Sequence, residues 1–138
     1  MNRQDFKRLA EQRVRDAEVL LAGRRYAAAY YLCGYAVECA LKACIAKRTR
    51  RSEFPDRKTV NKRHTHDLNV LVELAELEDT RVSRCKNDPA FKLSWQAVED
   101  WSERDRYEYG VTRRQAADLC DAVTDGNHGV LTWLMNFW

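Results

Sequence analysis

Residues 27–46, AAAYYLCGYAVECALKACIA, constrain the fold more than any other part of the chain. A bilayer core takes ~20 apolar residues of helix, so length alone permits a membrane span. The charges argue against one. Glu38 and Lys42 lie inside the stretch, and each would cost about 2–3.5 kcal/mol at mid-bilayer depth. They stand four apart with the acid first, the spacing at which helical side chains pair, here expected at an aqueous edge. Arg24 and Arg25 before the stretch, and Lys47 and Arg48 after it, leave no charge asymmetry to orient a span. A helix apolar nearly all round and rich in Ala reads as the central helix of a soluble bundle.

The rest of the chain fits that core. Five Gly and two Pro among 138 residues favour long helices over a turn-rich β fold. Residues 4–22 repeat apolar groups at helical spacing (Phe6, Leu9, Val14, Ala17, Leu21), and GRR then breaks the pattern. A third helix begins near His66, capped by Thr65 or Asp67, with Leu68, Leu71, Val72 and Ala75 on one face. Asp88 and Pro89 suit N-cap and N1 of a fourth, lined by Phe91, Trp95, Val98 and then Ser102. Thr112 and Gln115 form a capping box for a fifth. Its stripe runs from Ala116 through Cys120 and Val123 to Val130, Leu134 and Phe137. Gly126 and Gly129 soften its middle by ~1 kcal/mol each, and one continuous helix is expected. The reading is all-α: an up-and-down bundle of four to five helices, one domain over residues 1–138.

Composition narrows the function. The opening MNRQDFKRLAEQRVRDAE is charged and amphipathic, unlike a signal or transit peptide. The five cysteines are odd in number and never spaced C-x-x-C, so zinc and disulfide readings are weak and a reducing cytoplasm is expected. The loop over 49–65 is basic. From Lys47 to His66 there are eight Lys/Arg and two acids, a net of +6, leaving 16 basic and 19 acidic residues elsewhere, a net of −3. Such a segment is either a footprint for phosphate-bearing partners or a solvated loop. No Gly-rich phosphate loop, H-E-x-x-H, G-x-S-x-G or acidic metal cluster occurs, so neither cofactor nor metal is expected. His64 and His66 read as capping and solvated residues.

The order of segments carries more. YAAAYYLCGYAVECALKACIAKR, then HTHDLNVLVELA, then WQAVEDWSERDRYEYG, then an Ala-rich helix closing on VLTWL resembles the HEPN domain family. That resemblance implies a helical bundle that forms homodimers. It also implies, for many members, metal-independent cleavage of RNA in toxin–antitoxin and defence systems. The family motif is Arg, a polar residue, then His four to six residues beyond the Arg. Arginine supplies a permanent planar cation for phosphate. Histidine moves protons near neutral pH.

Here Arg104 and Asp105 begin the motif, but the His position is Tyr109. With a pKa of ~10, only about 1 in 1000 tyrosines is ionised at pH 7. By resemblance Arg104 orients phosphate, Asp105 holds Arg104 or the opposite chain, and Tyr109 fills the acid–base position weakly. Weak or absent ribonuclease activity is expected. RNA or nucleotide contacts are assigned to Arg106 and to Arg57, Lys58, Lys62 and Arg63 of the basic loop. Some relatives are neutralised by a nucleotidyltransferase antitoxin that adenylates a tyrosine beside the motif, and Tyr107 and Tyr109 match that place. Two alternatives stay open. One is an inactive dimeric scaffold for such a partner. In the other, the segment is a charged helix end, with Arg106 pairing Glu103 or Asp105. A membrane-surface role for the basic loop is disfavoured by the lack of any lipidation motif or aromatic anchor beside it.

Overall fold

A computed structural model describes residues 1–49 and 65–138. Among these residues it contains seven α-helices, one short 3-10 helix and no strand, an all-helical bundle. Helix α1 (Arg3–Ala22) opens on a reciprocal cap: Asn2 accepts from the Asp5 amide and Asp5 accepts from the Asn2 amide. The chain reverses at GRR, where Arg24, and not Gly23, takes the left-handed conformation (φ 62°).

Helix α2 (Tyr26–Thr49) is the axis of the molecule. Its residues from Ala36 to Leu41 are all buried, so it is covered on every side, as its composition requires. It contacts α1, α3 (Leu68–Leu74), α6 (Arg113–Thr124), α7 (Val130–Leu134) and the 3-10 helix η1 (Glu103–Tyr107). No helix among the described residues is long and apolar enough to cross a membrane. Glu38 and Lys42 do pair, at 2.9 Å, but Glu38 is only 1% exposed and so does not sit at an aqueous edge.

One glycine is required by packing. A Cβ on Gly34 would lie 2.3 Å from ring atoms of Trp101, so only glycine lets the indole lie flat on α2. That contact presses the chain after α5 (Pro89–Glu99) against the central helix. Trp95, Trp101, Trp133 and Trp138 are all buried within this one chain.

Several expectations are corrected. The fifth helix is not continuous: α6 stops at Thr124, and residues 125–129 form a loop before α7. The Asp125 carboxylate accepts the amides of Asn127 (3.1 Å) and His128 (2.7 Å), a local alternative to helix. Ser102 does not continue the fourth apolar stripe; it caps η1. Helix α4 (Glu78–Asn87) goes unanticipated because it has no buried residue and hence no apolar stripe. Its arginines hold it down, Arg81 lying 5.0 Å over the Trp95 ring and Arg84 5.4 Å over Phe91.

The cysteines also differ from expectation. Cys33 of α2 is bonded to Cys120 of α6, with Cα atoms 5.7 Å apart across 87 residues of sequence. Spacing cannot reveal such a connection. Burial pushes the thiols of Cys39 and Cys44 up, to about 11 and about 12, so neither is a ready nucleophile.

Candidate functional site

The site grows from Glu38. A carboxylate this deeply buried needs partners in place of water. Lys42, one turn on, supplies the first. The second comes from outside the helix: His66 places Nδ1 2.7 Å from the same Oε1 oxygen. Glu38 Oε2 is buried and has no hydrogen-bond partner among the described residues.

His66 precedes α3, and its place there has a local cause. The Asp67 side chain caps the helix by accepting from the amides of Asn69 (2.9 Å) and Val70 (3.3 Å). Thr65 Oγ1 accepts from the Asp67 amide at 3.1 Å. The residue between them is thereby turned toward α2. Its other nitrogen, Nε2, lies 3.2 Å from Glu103 Oε2 on η1. One imidazole thus joins the central helix, the start of α3 and the 3-10 turn.

A cleft of about 480 Å³ opens at this junction, lined among others by His66, Trp101, Ser102, Glu103 and Arg104. Asp67 and Glu99 also border it, so three acidic residues and one arginine line the cleft. The aromatic wall behind continues along α2. Tyr31 stacks on Tyr35 at 6.0 Å and tilts against Trp101 at 5.9 Å. Burial first, then the charge of Glu38, raises the Tyr31 hydroxyl above its ordinary 10.0.

Of the residues read from the motif, Arg104 lines this cleft. Asp105 is engaged in a capping box: its Oδ2 accepts the Ser102 amide at 2.7 Å, while Ser102 Oγ accepts the Arg104 amide at 3.2 Å. Arg106 lies 4.7 Å over the exposed Tyr107 ring, and the hydrogen bond to Tyr107 raises its pKa. Tyr109 is 95% exposed and lines a different, shallow depression with Arg24, Arg25 and Tyr26. Arg57, Lys58, Lys62 and Arg63, with His64, lie outside the described residues. No group of three or more His, Cys, Asp or Glu among the described residues is placed to hold a metal.

Sequence reasoning named Glu38, His66 and Glu103 singly but did not bring them together. The one available signal was an acid in the middle of an apolar helix, which demands more partners than a single lysine.

A second histidine cluster holds the far loop. His128 Nδ1 lies 2.7 Å from Asp88 Oδ2, Arg84 Nε lies 3.2 Å from the same oxygen, and Asp88 Oδ1 caps Phe91 of α5. The hydrogen bond from His128 is the main reason the Asp88 carboxyl is held below its ordinary 3.8.

Among family models, the one described as HEPN domain matches residues 4–124. No curated protein and no solved structure matches the chain.

Proposed function

The chain belongs to the HEPN domain family, and on that premise we propose that it binds RNA or a nucleotide beside Arg104, with weak or no cleavage through the Arg104, Asp105 and Tyr109 motif. The observation that carries this reading is the separation of the motif's ends. Arg104 faces the cleft, Asp105 is engaged as a helix cap, and Tyr109 stands in solvent away from both. A phosphate-orienting cation is present without a neighbouring acid–base group from its own motif.

The proposal includes a homodimer, the arrangement in which two Arg104 cations would face a shared phosphate and offset the carboxylates of each cleft. Arg106 and the basic loop (Arg57, Lys58, Lys62, Arg63) would extend the phosphate track. Binding of a labelled single-stranded RNA at increasing salt tests it. Affinity should fall steeply with salt, and Arg104→Ala should weaken it at every salt concentration. Neutralising Lys62 and Arg63 should flatten the log–log slope by about 1–2. Binding indifferent to both salt and Arg104→Ala would refute the reading.

A second reading rests on a different observation. Tyr107 is 72% exposed and Tyr109 95%, on a turn open to solvent. Both hydroxyls are accessible to a nucleotidyltransferase partner, in a toxin–antitoxin arrangement where the chain is scaffold or target. Incubation with such a partner and ATP, followed by peptide mass spectrometry, tests it: no adenylate on either tyrosine would remove this reading.

A further inference from the structure

Tyr109 lies away from the Arg104 cleft, but not on bare surface. It borders a depression of about 320 Å³ together with Arg24, Arg25, Tyr26, Val111 and two alanines of α2. We propose that this depression is a site for a terminal phosphate ester that carries a nucleobase: Arg24 and Arg25 hold the phosphate, and Tyr109 stacks on the base. The site stands apart from the reading at Arg104. The two cavities share no residue. Helix α2 runs ~15 Å from Ala28 to Glu38, which lies behind the cleft.

Charge selects the anion. Acidic and basic residues nearly balance over the whole chain, 21 against 24, yet no acidic residue borders this depression. The side chains of Arg24 and Arg25 make no ion pair, hydrogen bond or ring contact among the described residues. Their charge is not offset locally, whereas Arg104 shares its cleft with three acidic residues. A guanidinium is a planar fork that matches phosphate oxygens. Two of them suit a terminal phosphate, which carries about −1.5 to −2 at pH 7, better than an internal phosphodiester with its single charge.

The backbone holds these groups in place. The amides of Gly23, Arg24 and Arg25 donate to the carbonyls of Val19, Leu21 and Leu20 at 2.9, 3.1 and 2.8 Å. Arg24 takes the left-handed conformation (φ 62°), while its neighbour Gly23 has φ −81°. Glycine is the residue that such a position accepts without strain. The chain keeps a guanidinium there against that preference, and strain retained in this way concentrates at ligand clamps. On the other side, Tyr109 stands between two caps, since Glu108 ends η1 and Thr112 opens α6. Its side chain is 95% exposed, and a Cβ on the following Gly110 would meet nothing within 4 Å. The ring is open to a flat partner, and aromatic side chains take bases in this way with little regard to sequence.

The test uses the full chain with AMP, adenosine and two short single-stranded RNAs that differ only in a 5′-phosphate or a 5′-hydroxyl end, titrated by calorimetry. AMP should bind, and adenosine should bind about 10-fold or more weakly, because the charged hydrogen bonds are lost. Arg24→Gly and Arg25→Gln should each lower AMP affinity by about 10-fold or more. Arg24→Gly puts glycine at the left-handed position, so Tm should stay at or above wild type and unfolding cannot account for the loss. Tyr109→Ala should weaken AMP about 5-fold or more, and Tyr109→Phe, which keeps the ring, should retain it. Arg104→Ala should leave AMP affinity unchanged. Displacement of AMP by the phosphorylated RNA, and not by its hydroxyl-ended twin, identifies a strand end as the ligand; AMP displaced by neither identifies the free nucleotide. Three results overturn the proposal: AMP and adenosine binding alike, AMP affinity indifferent to both arginine variants, or equal displacement by the two RNAs. Loss of AMP binding through Arg104→Ala alone overturns this site and upholds the reading at the cleft.

Discussion

His66 and His128 make the same contact, Nδ1 at 2.7 Å from a carboxylate oxygen, in surroundings that give the two pairs different work. At His128 both oxygens of the Asp88 carboxylate are engaged. Asp88 caps a helix with one oxygen and takes His128 and Arg84 with the other, and Asp125 takes two loop amides. That cluster replaces a stretch of helix with a fixed loop. At His66 the carboxylate is buried, one of its oxygens has no partner among the described residues, and the ring's second nitrogen reaches a cleft. A satisfied network holds structure, whereas an incompletely satisfied one beside open space has capacity left for a ligand.

The largest expected effect breaks the cleft without touching its polar residues. Gly34→Ala puts a methyl into the Trp101 ring and should cost about 3 kcal/mol by urea denaturation. It should also displace the indole that walls the site, and cleft binding should fall with it. Unchanged stability would mean that the indole is not pinned to α2.

The far cluster should respond in stability alone. Asp88→Ala removes a helix cap and two side-chain partners and should lower Tm by a few degrees. RNA binding should stay at the wild-type level. Loss of binding would erase the contrast between the clusters.

Acid sharpens the same contrast. Asp88 is held below its ordinary 3.8 chiefly by the hydrogen bond from His128, and Asp125 chiefly by the His128 amide. A lowered folded-state pKa stabilises in full above the unfolded value and is lost as pH falls through the folded one. Stability should therefore drop below about pH 4 as these carboxylates protonate. His128→Gln should shrink the Asp88 share of that drop and keep the Asp125 share, because the backbone amide remains. Denaturant titrations at pH 6 and pH 3 measure it.

The smallest effect is expected at the exposed turn. Tyr109→Phe should leave Tm within about 1 °C of wild type, since its side chain is 95% exposed. A larger shift would show the turn to be packed in solution, most simply against a second copy.

Legibility in the sequence followed the size of the apolar signal. Helices with a stripe, such as α6 with Ala116, Cys120 and Val123, announce themselves by period, and their starts by Asp88 and Thr112. Helix α4 has no stripe, and the loop after α6 depends on one aspartate choosing amides over solvent. Arg104 was visible through a motif of local spacing. Glu38 and His66, which meet behind its cleft, are 28 residues apart, and no local pattern joins them.

The sequence by itself determined that a nearly all-apolar helix carrying Glu38 and Lys42 had to be wrapped by other helices, because periodicity and burial are properties of a segment alone. Only the tertiary structure decided what surrounds Glu38. The depth of a charge, its second partner and the cleft beside it depend on where α3 and η1 dock. That docking is settled by shape, above all by Trp101 lying on Gly34, and shape complementarity leaves no signature in the order of residues.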